Sequence, residues 1–226
     1  MINITAFRAT DNPALTARYI EGHRKVLEVY GVTKVTSNDT KWVDDTHTVV
    51  IHVESEDGKT LGGARIQIAG KHNKLPLADA VGEIDPLIYK IIDTYSEHNT
   101  GEFCGLWNSR EVAGLGIGSI FLGRVGISLI SRLGLGSLFA LCSPATLKHC
   151  LNVGFNVLHE IGNDGTFYYP KEDLLATALI IPDPLYLASA NSYDRDRILE
   201  LRNNPRQITK EIGPRGPVEI SYDLLT

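Results

Sequence analysis

Acidic side chains are missing from one long stretch of this chain. From residue 112 to residue 159 there is no Asp or Glu, although the whole sequence carries a formal net charge of −5. The ionisable groups in that stretch are Arg124, Arg132, Lys148, His149, His159 and the thiols of Cys142 and Cys150. An anion brought there meets local positive charge and no sequence-adjacent carboxylate. The global acidity excludes a general polyanion binder, so nucleic acid is not expected as a partner. Cysteine is scarce as well. Cys104, Cys142 and Cys150 form an odd set with no C-x-x-C spacing, which argues against a disulfide framework or a zinc knuckle and for a reducing compartment. Long apolar runs are also absent. Residues 1–10 hold no signal-peptide core, and the most apolar segment, residues 126–142, is cut by Arg132 and by glycines, so no membrane span is expected and the predicted location is cytoplasmic.

What is present is an ordinary globular composition, 43% hydrophobic and 22% charged over 226 residues, enough to bury a full core. The simplest organisation is one domain over residues 1–226 with a C-terminal elaboration from about residue 170. Asp11-Asn12-Pro13 caps a helix in which Leu15, Tyr19, Val26 and Tyr30 recur at helical spacing. Residues 48–54 and 61–69 read as strands joined through Asp57-Gly58, an antiparallel hairpin with Arg65 on the face opposite Ala64, Ile66 and Ile68. Residues 70–84 read as a mixed loop, and Asp85-Pro86 opens a helix through Tyr95. A strand over 102–108 then alternates Glu102, Cys104, Leu106 and Asn108 against Phe103, Gly105 and Trp107. After it come a helix over about 119–133, a buried strand over 137–142, a short helix from Pro144, and an extended stretch from Gly154-Phe155. A strand over 174–181, a charged helix around 193–201 and a terminal strand over 218–224 complete a mixed α/β (α+β) pattern.

The sharpest local signal is Ala113-Gly114-Leu115-Gly116-Ile117-Gly118, between a strand and a helix. Three glycines at alternate positions free the backbone to turn its N–H groups toward a ligand, and the helix start adds partial positive charge, so a phosphate or pyrophosphate is the expected guest. A P-loop requires Gly-Lys-Ser/Thr, whereas Gly118 is followed by Ser119-Ile120. A dinucleotide fingerprint requires G-x-G-x-x-G and an acid about 20 residues on, and the acid-free stretch covers that position. Residues 106–118 instead resemble the phosphate-binding block of the GNAT superfamily of N-acyltransferases, R/Q-x-x-G-x-G/A after a strand, and Gly154-Phe155 resembles the Gly-Phe pair that follows its last helix. The resemblance implies a mixed, mostly antiparallel central sheet flanked by helices. It also implies acyl transfer from acetyl-CoA, a longer acyl-CoA or the acyl-phosphopantetheine of an acyl carrier protein to a small-molecule amine, with no metal. Leu106 and Asn108 would face pantetheine, and Arg110, Gly114, Leu115, Gly116, Ile117, Gly118 and Ser119 the pyrophosphate. Two positions depart from the pattern. The Arg/Gln position is Ala113, so Arg110 or Arg124 would have to substitute, and the tyrosine that serves as general acid in the family is replaced by Cys150.

A narrower resemblance joins Arg18-Tyr19, Leu61-Gly62-Gly63-Ala64-Arg65-Ile66, Lys74-Leu75-Pro76-Leu77 and Gly101-Glu102-Phe103. Together they look like the pattern of acyl-homoserine-lactone synthases and N-acyl amino acid synthases, without the tryptophan beside the glutamate. Glu102 is the candidate base, because a carboxylate on an apolar strand has its pKa raised by desolvation. Arg65 and Trp107 are assigned to the substrate side, with pairing to Glu102 or Asp85 as the alternative for Arg65. A long acyl chain would run between Leu106, Leu138, Ala140 and Cys142. The competing expectation is a non-catalytic acyl-CoA-binding or sensor module that kept the loop and lost the chemistry.

Overall fold

The computed structural model describes residues 1–29, 31–32, 40–70 and 74–224; Tyr30 and residues 71–73 of the expected loop lie outside them. Ten strands form one sheet: β1 (Ile2–Arg8), β2 (Val49–Ser55), β3 (Thr60–Ile68), β4 (Thr100–Asn108), β5 (Ser137–Cys142), β6 (Asn156–Val157), β7 (Thr166–Tyr168), β8 (Leu175–Ile181), β9 (Arg206–Gly213) and β10 (Gly216–Asp223). Their order is β6-β8-β5-β4-β3-β2-β1-β10-β9, with β7 also on β8. Pairing is antiparallel except between β4 and β5 and between β1 and β10. The fold is therefore the mixed, mostly antiparallel sheet flanked by helices that the resemblance implies.

Helices cover both faces. On one lie α1 (Pro13–Val29), α2 (Pro76–Val81) and α3 (Leu87–Ser96); behind the other lie α4 (Leu122–Leu129), α5 (Pro144–Asn152) and α6 (Ser192–Asn203). Asn12 caps α1, its side-chain oxygen accepting the Leu15 N–H at 3.1 Å, as the Asn-Pro pair predicts. The rear core packs Ile4, Ile51, Ile66 and Phe103 against Phe121, Val125 and Leu129, while α2 and α3 bury Leu77, Ile88 and Ile92 against Phe139 and Ile180.

Four features differ from the sequence reading. The first strand went unread because its apolar side, Ile2, Ile4 and Ala6, is only three residues long. In β9 the first five residues keep no buried side chain, so it carries little hydrophobic signal. The expected loop contains α2, where Pro76 takes the first helical position and Leu77, Ala78 and Val81 are buried. The alternation of β4 also breaks. Gly63 pairs with Trp107 and Arg65 with Cys104, so β4 holds one residue more than β3 and bulges at Gly105, whose φ is +59°. Trp107 thereby joins the face of Glu102 and Cys104, and Leu106 turns to the other.

Candidate active site

The parallel ladder between β4 and β5 runs only from Thr100/Ser137 to Phe103/Ala140. Both strands continue beyond it unpaired with each other, and they diverge into a wedge. The wedge holds a cavity of about 260 Å³ whose walls include Cys104, Gly105 and Leu106 of β4, Cys142 of β5, His23 of α1 and Cys150 of α5. The bulge sits on this wall. A methyl group on Gly105 would stand 2.2 Å from the Tyr19 hydroxyl oxygen, and that hydroxyl donates to the Gly105 carbonyl at 2.8 Å, so glycine is required here by space as well as by φ. The edge of β4 past Phe103, free of β5, can accept an extended amide-bearing ligand as an added strand.

At the far end of β4 the chain makes the glycine turn. Gly114 and Gly116 take φ of +81° and +92°, and a methyl on Gly118 would lie 2.2 Å from Asn108 Oδ1. The helix then opens with one wide turn, Ile117–Phe121, whose last bond runs from the Leu122 N–H back to the Ile117 carbonyl. Ile120 and Phe121 both donate to the Gly116 carbonyl, at 2.8 and 3.0 Å. Among the described residues no acceptor meets the N–H groups of Gly114, Gly116, Ile117, Gly118 or Ser119. This row of unpaired donors at a helix start is suited to an anion.

The arginines around the turn differ in freedom. Arg110 is exposed on a short turn, Arg110–Val112, beside it. Arg124, one of the two expected substitutes for the missing loop cation, is buried behind the turn and donates to Asp194 Oδ1 at 2.6 Å and Glu211 Oε2 at 2.9 Å, so it is committed to structure. A third, Arg215 at the tip of the β9–β10 hairpin, lies against Gly114. Sequence reasoning missed it. Gly213-Pro214-Arg215-Gly216 reads as a turn, but nothing local says where the turn docks.

Glu102 is 2% exposed and Arg65 is 1% exposed, on adjacent strands under α1 and α2. The Leu77 N–H, in the first turn of α2, donates to Glu102 Oε2 at 2.7 Å, which joins two of the short motifs read from the sequence. Burial raises the Glu102 pKa to about 7, against the Leu77 N–H and the Arg65 charge, which lower it. The Arg65 guanidinium lies 4.6 Å from the Trp42 ring centroid, among Tyr19, Cys104 and Glu102. Burial pushes the Cys104 thiol up to about 12, and burial together with Arg65 pulls His23 down to about 4. Of these groups Cys104 and His23 reach the cavity wall, and Glu102 and Arg65 sit one layer behind it. Trp107 packs under Gly22 of α1 and lines a separate groove with Arg18, Lys25 and Lys59. Cys142 and Cys150 both line the cavity, and the neighbouring Cys142 thiol together with burial holds Cys150 above the ordinary thiol range. The structure thus sets Leu106 on the wall of the wedge, packs Asn108 against Gly118 of the glycine turn at the end of the same strand, and places Glu102 with Arg65 behind the wall and Trp107 to one side.

No family model and no curated protein matches the sequence. Solved structures do. FeeM, an N-acyl amino acid synthase from uncultured soil microbes, superposes with a TM-score of 0.62 at 12% identity, covering 87% of this chain and 98% of its own. MesI, a CoA-dependent acyl-homoserine lactone synthase, gives 0.55 at 15% identity over 88% of this chain and 95% of its own. An acyl-CoA N-acyltransferase from Pseudomonas aeruginosa gives 0.51 at 14% identity over 80% and 99%. The chain has a GNAT-like acyltransferase fold.

Proposed function

We propose that this protein is an N-acyltransferase, moving an acyl group from a phosphopantetheine thioester to a small-molecule amine by direct attack. The observation that carries the reading is the alignment of three features along one path: a wedge between β4 and β5, a bulge on its wall, and a turn of unpaired N–H groups at the end of β4. Pantetheine amides pair with the free edge of β4, the donor's phosphates meet the turn, and the thioester carbonyl comes to rest by the Gly105–Leu106 backbone. The amine nitrogen bonds to the carbonyl carbon, its proton passes by way of water to the Glu102 carboxylate, and the carbon–sulfur bond breaks. A Glu102 pKa of about 7 keeps enough carboxylate at neutral pH for this task. The Cys150 thiol, held above its ordinary range, is a poorer acid than protonated Glu102, so the proton that Glu102 accepts passes on through water to the leaving thiolate and the carboxylate is regenerated. The similarity to FeeM and MesI supports the choice of an amino-acid-like amine as acceptor.

The test is release of free thiol from acyl-CoA in the presence of a panel of amino acids and amines. Turnover that requires the amine, and that falls by about 10²-fold or more in Glu102→Gln while donor affinity is kept, is the expected result. A second reading, a donor-binding module without chemistry, draws on the position of Glu102 and Arg65 behind the cavity wall. Saturable donor binding with no amine-dependent thiol release would favour it.

A further inference from the structure

At the glycine turn position 113 is alanine, Arg124 is held by two carboxylates, and Arg110 stands exposed on the short turn before it. The C-terminal hairpin lies at the far edge of the sheet in strand order, four strands from β4. Its tip nevertheless packs on the turn residue by residue. A methyl on Gly213 would stand 2.1 Å from the Leu115 carbonyl oxygen, and one on Gly116 would stand 3.1 Å from Pro214 Cδ. One on Gly114 would stand 2.6 Å from Arg215 Nε and 3.0 Å from its Cζ. Pro214 fixes its own φ in the two-residue turn, which limits where Arg215 can point. Among the described residues Arg215 has no carboxylate partner and no hydrogen bond. An unpaired guanidinium has therefore been packed against an unpaired row of N–H groups, an arrangement that is repulsive until an anion arrives.

We infer that Arg215 clamps the donor's phosphate, supplying from the C-terminal hairpin the cation that position 113 lacks. The inference rests on the acyl-donor reading and deepens it. The ligand chemistry is a phosphate ester, which occurs as the pyrophosphate of CoA and as the single phosphate of a carrier protein's prosthetic group. A guanidinium beside several N–H donors can engage two phosphates at once, so CoA gains more from Arg215 than 4′-phosphopantetheine does.

Titration calorimetry with CoA, 4′-phosphopantetheine and phosphate-free pantetheine tests this on the intact protein, Arg215→Ala, Arg215→Lys and Arg110→Ala. Arg215 is exposed, so its truncation is expected to leave the ligand-free melting temperature unchanged. The expected result is a loss of CoA affinity of about tenfold or more in Arg215→Ala. The loss should be smaller for 4′-phosphopantetheine and absent for pantetheine, with partial recovery in Arg215→Lys and little change in Arg110→Ala. Unchanged CoA affinity in Arg215→Ala overturns the inference and leaves the donor reading standing. An equal loss for pantetheine overturns it too, because the hairpin would then act through the shape of the turn. Failure of the wild-type protein to bind CoA or either fragment overturns both. A loss as large for 4′-phosphopantetheine as for CoA would keep the clamp and assign it to a single phosphate, the chemistry of a carrier protein.

Discussion

Glu102 acquires on folding a proton affinity that an exposed glutamate lacks, its pKa rising from 4.5 to about 7 as burial outweighs the Leu77 N–H and Arg65. Between those values the folded protein keeps a proton that the unfolded chain has released. The group's contribution to stability is therefore full below the unfolded pKa and is lost as pH rises through about 7, a change of roughly 3 kcal/mol. His23 and His52 act with the opposite sign. Burial depresses both from 6.5 to about 4, so their contribution is present above the unfolded value and is lost as pH falls toward 4. The two effects oppose each other over much of the same range, but the histidines are common to the wild type and to Glu102→Gln. Urea melts at about pH 5.5 and 8 are therefore expected to show the stability of the wild type falling relative to that of Glu102→Gln as pH rises. The same proton governs catalysis in the proposed mechanism, so kcat/KM should show, besides the acceptor amine's own ionisation at higher pH, one near pH 7 that Glu102→Gln removes. A constant difference between the two proteins across that interval would mean that the carboxyl is not protonated in the native state.

Among the elements, β4 does most to shape the site, and its decisive feature is one extra residue. The bulge ties Gly105 to Tyr19 through both a hydrogen bond and a close contact, so the two residues should be coupled. Gly105→Ala introduces a methyl 2.2 Å from the Tyr19 oxygen at a φ of +59°, and a loss of about 2–4 kcal/mol is expected. Tyr19→Phe alone should lose about 1 kcal/mol with the hydrogen bond. The double variant should lose clearly less than the sum, because the phenylalanine removes the atom that the methyl meets. Additive losses would show that the bulge stands without Tyr19. This element also marks the limit of what the chain's pattern discloses. The hairpin of β2 and β3, the helix after Asn12-Pro13 and the glycine turn were legible because Asp57-Gly58, the cap and the alternating glycines act through their immediate neighbours. The bulge was not, since a period-two reading of residues 102–108 puts Trp107 opposite Glu102, and only the pairing of Gly63 with Trp107 and Arg65 with Cys104 reverses that. Arg215, and the bond from the motif residue Leu77 to Glu102, went unread for a related reason. Gly114 and Glu102 are distant in sequence from Arg215 and Leu77 and meet them through tertiary packing alone.

Taken as a whole, the molecule supports its glycine turn from the C-terminal side. Arg124 of α4 joins Asp194 of α6 and Glu211 of β9 in a buried ion-pair cluster that Arg197 and Tyr222 extend. Removing the central cation leaves buried Asp194 without a cation and Glu211 with Arg197 alone, so Arg124→Met is expected to cost about 3–5 kcal/mol, read by denaturant melts. Replacing Arg124, Asp194 and Glu211 together by apolar residues should cost far less, and an equal cost would deny that stranded charge is the cause. The same tight rear core limits what the wedge can hold. Leu138, an expected wall for a long acyl chain, is wholly buried in the rear core and does not reach the cavity, whereas Leu106, Ala140 and Cys142 do. A volume of about 260 Å³ stands just below the usual range for ligand pockets, about 300–1,000 Å³, and the pantetheine arm must share it. Each methylene that finds burial contributes about 0.8 kcal/mol before ordering costs, so affinity should rise from acetyl-CoA to hexanoyl-CoA. It should then level off at dodecanoyl-CoA, whose remaining methylenes have no apolar wall left to reach. Dissociation constants for the three donors decide the point. A continued rise to the longest chain would mean that β4 and β5 part further to admit it, the behaviour expected of a long-chain synthase, and would sink the short-chain limit.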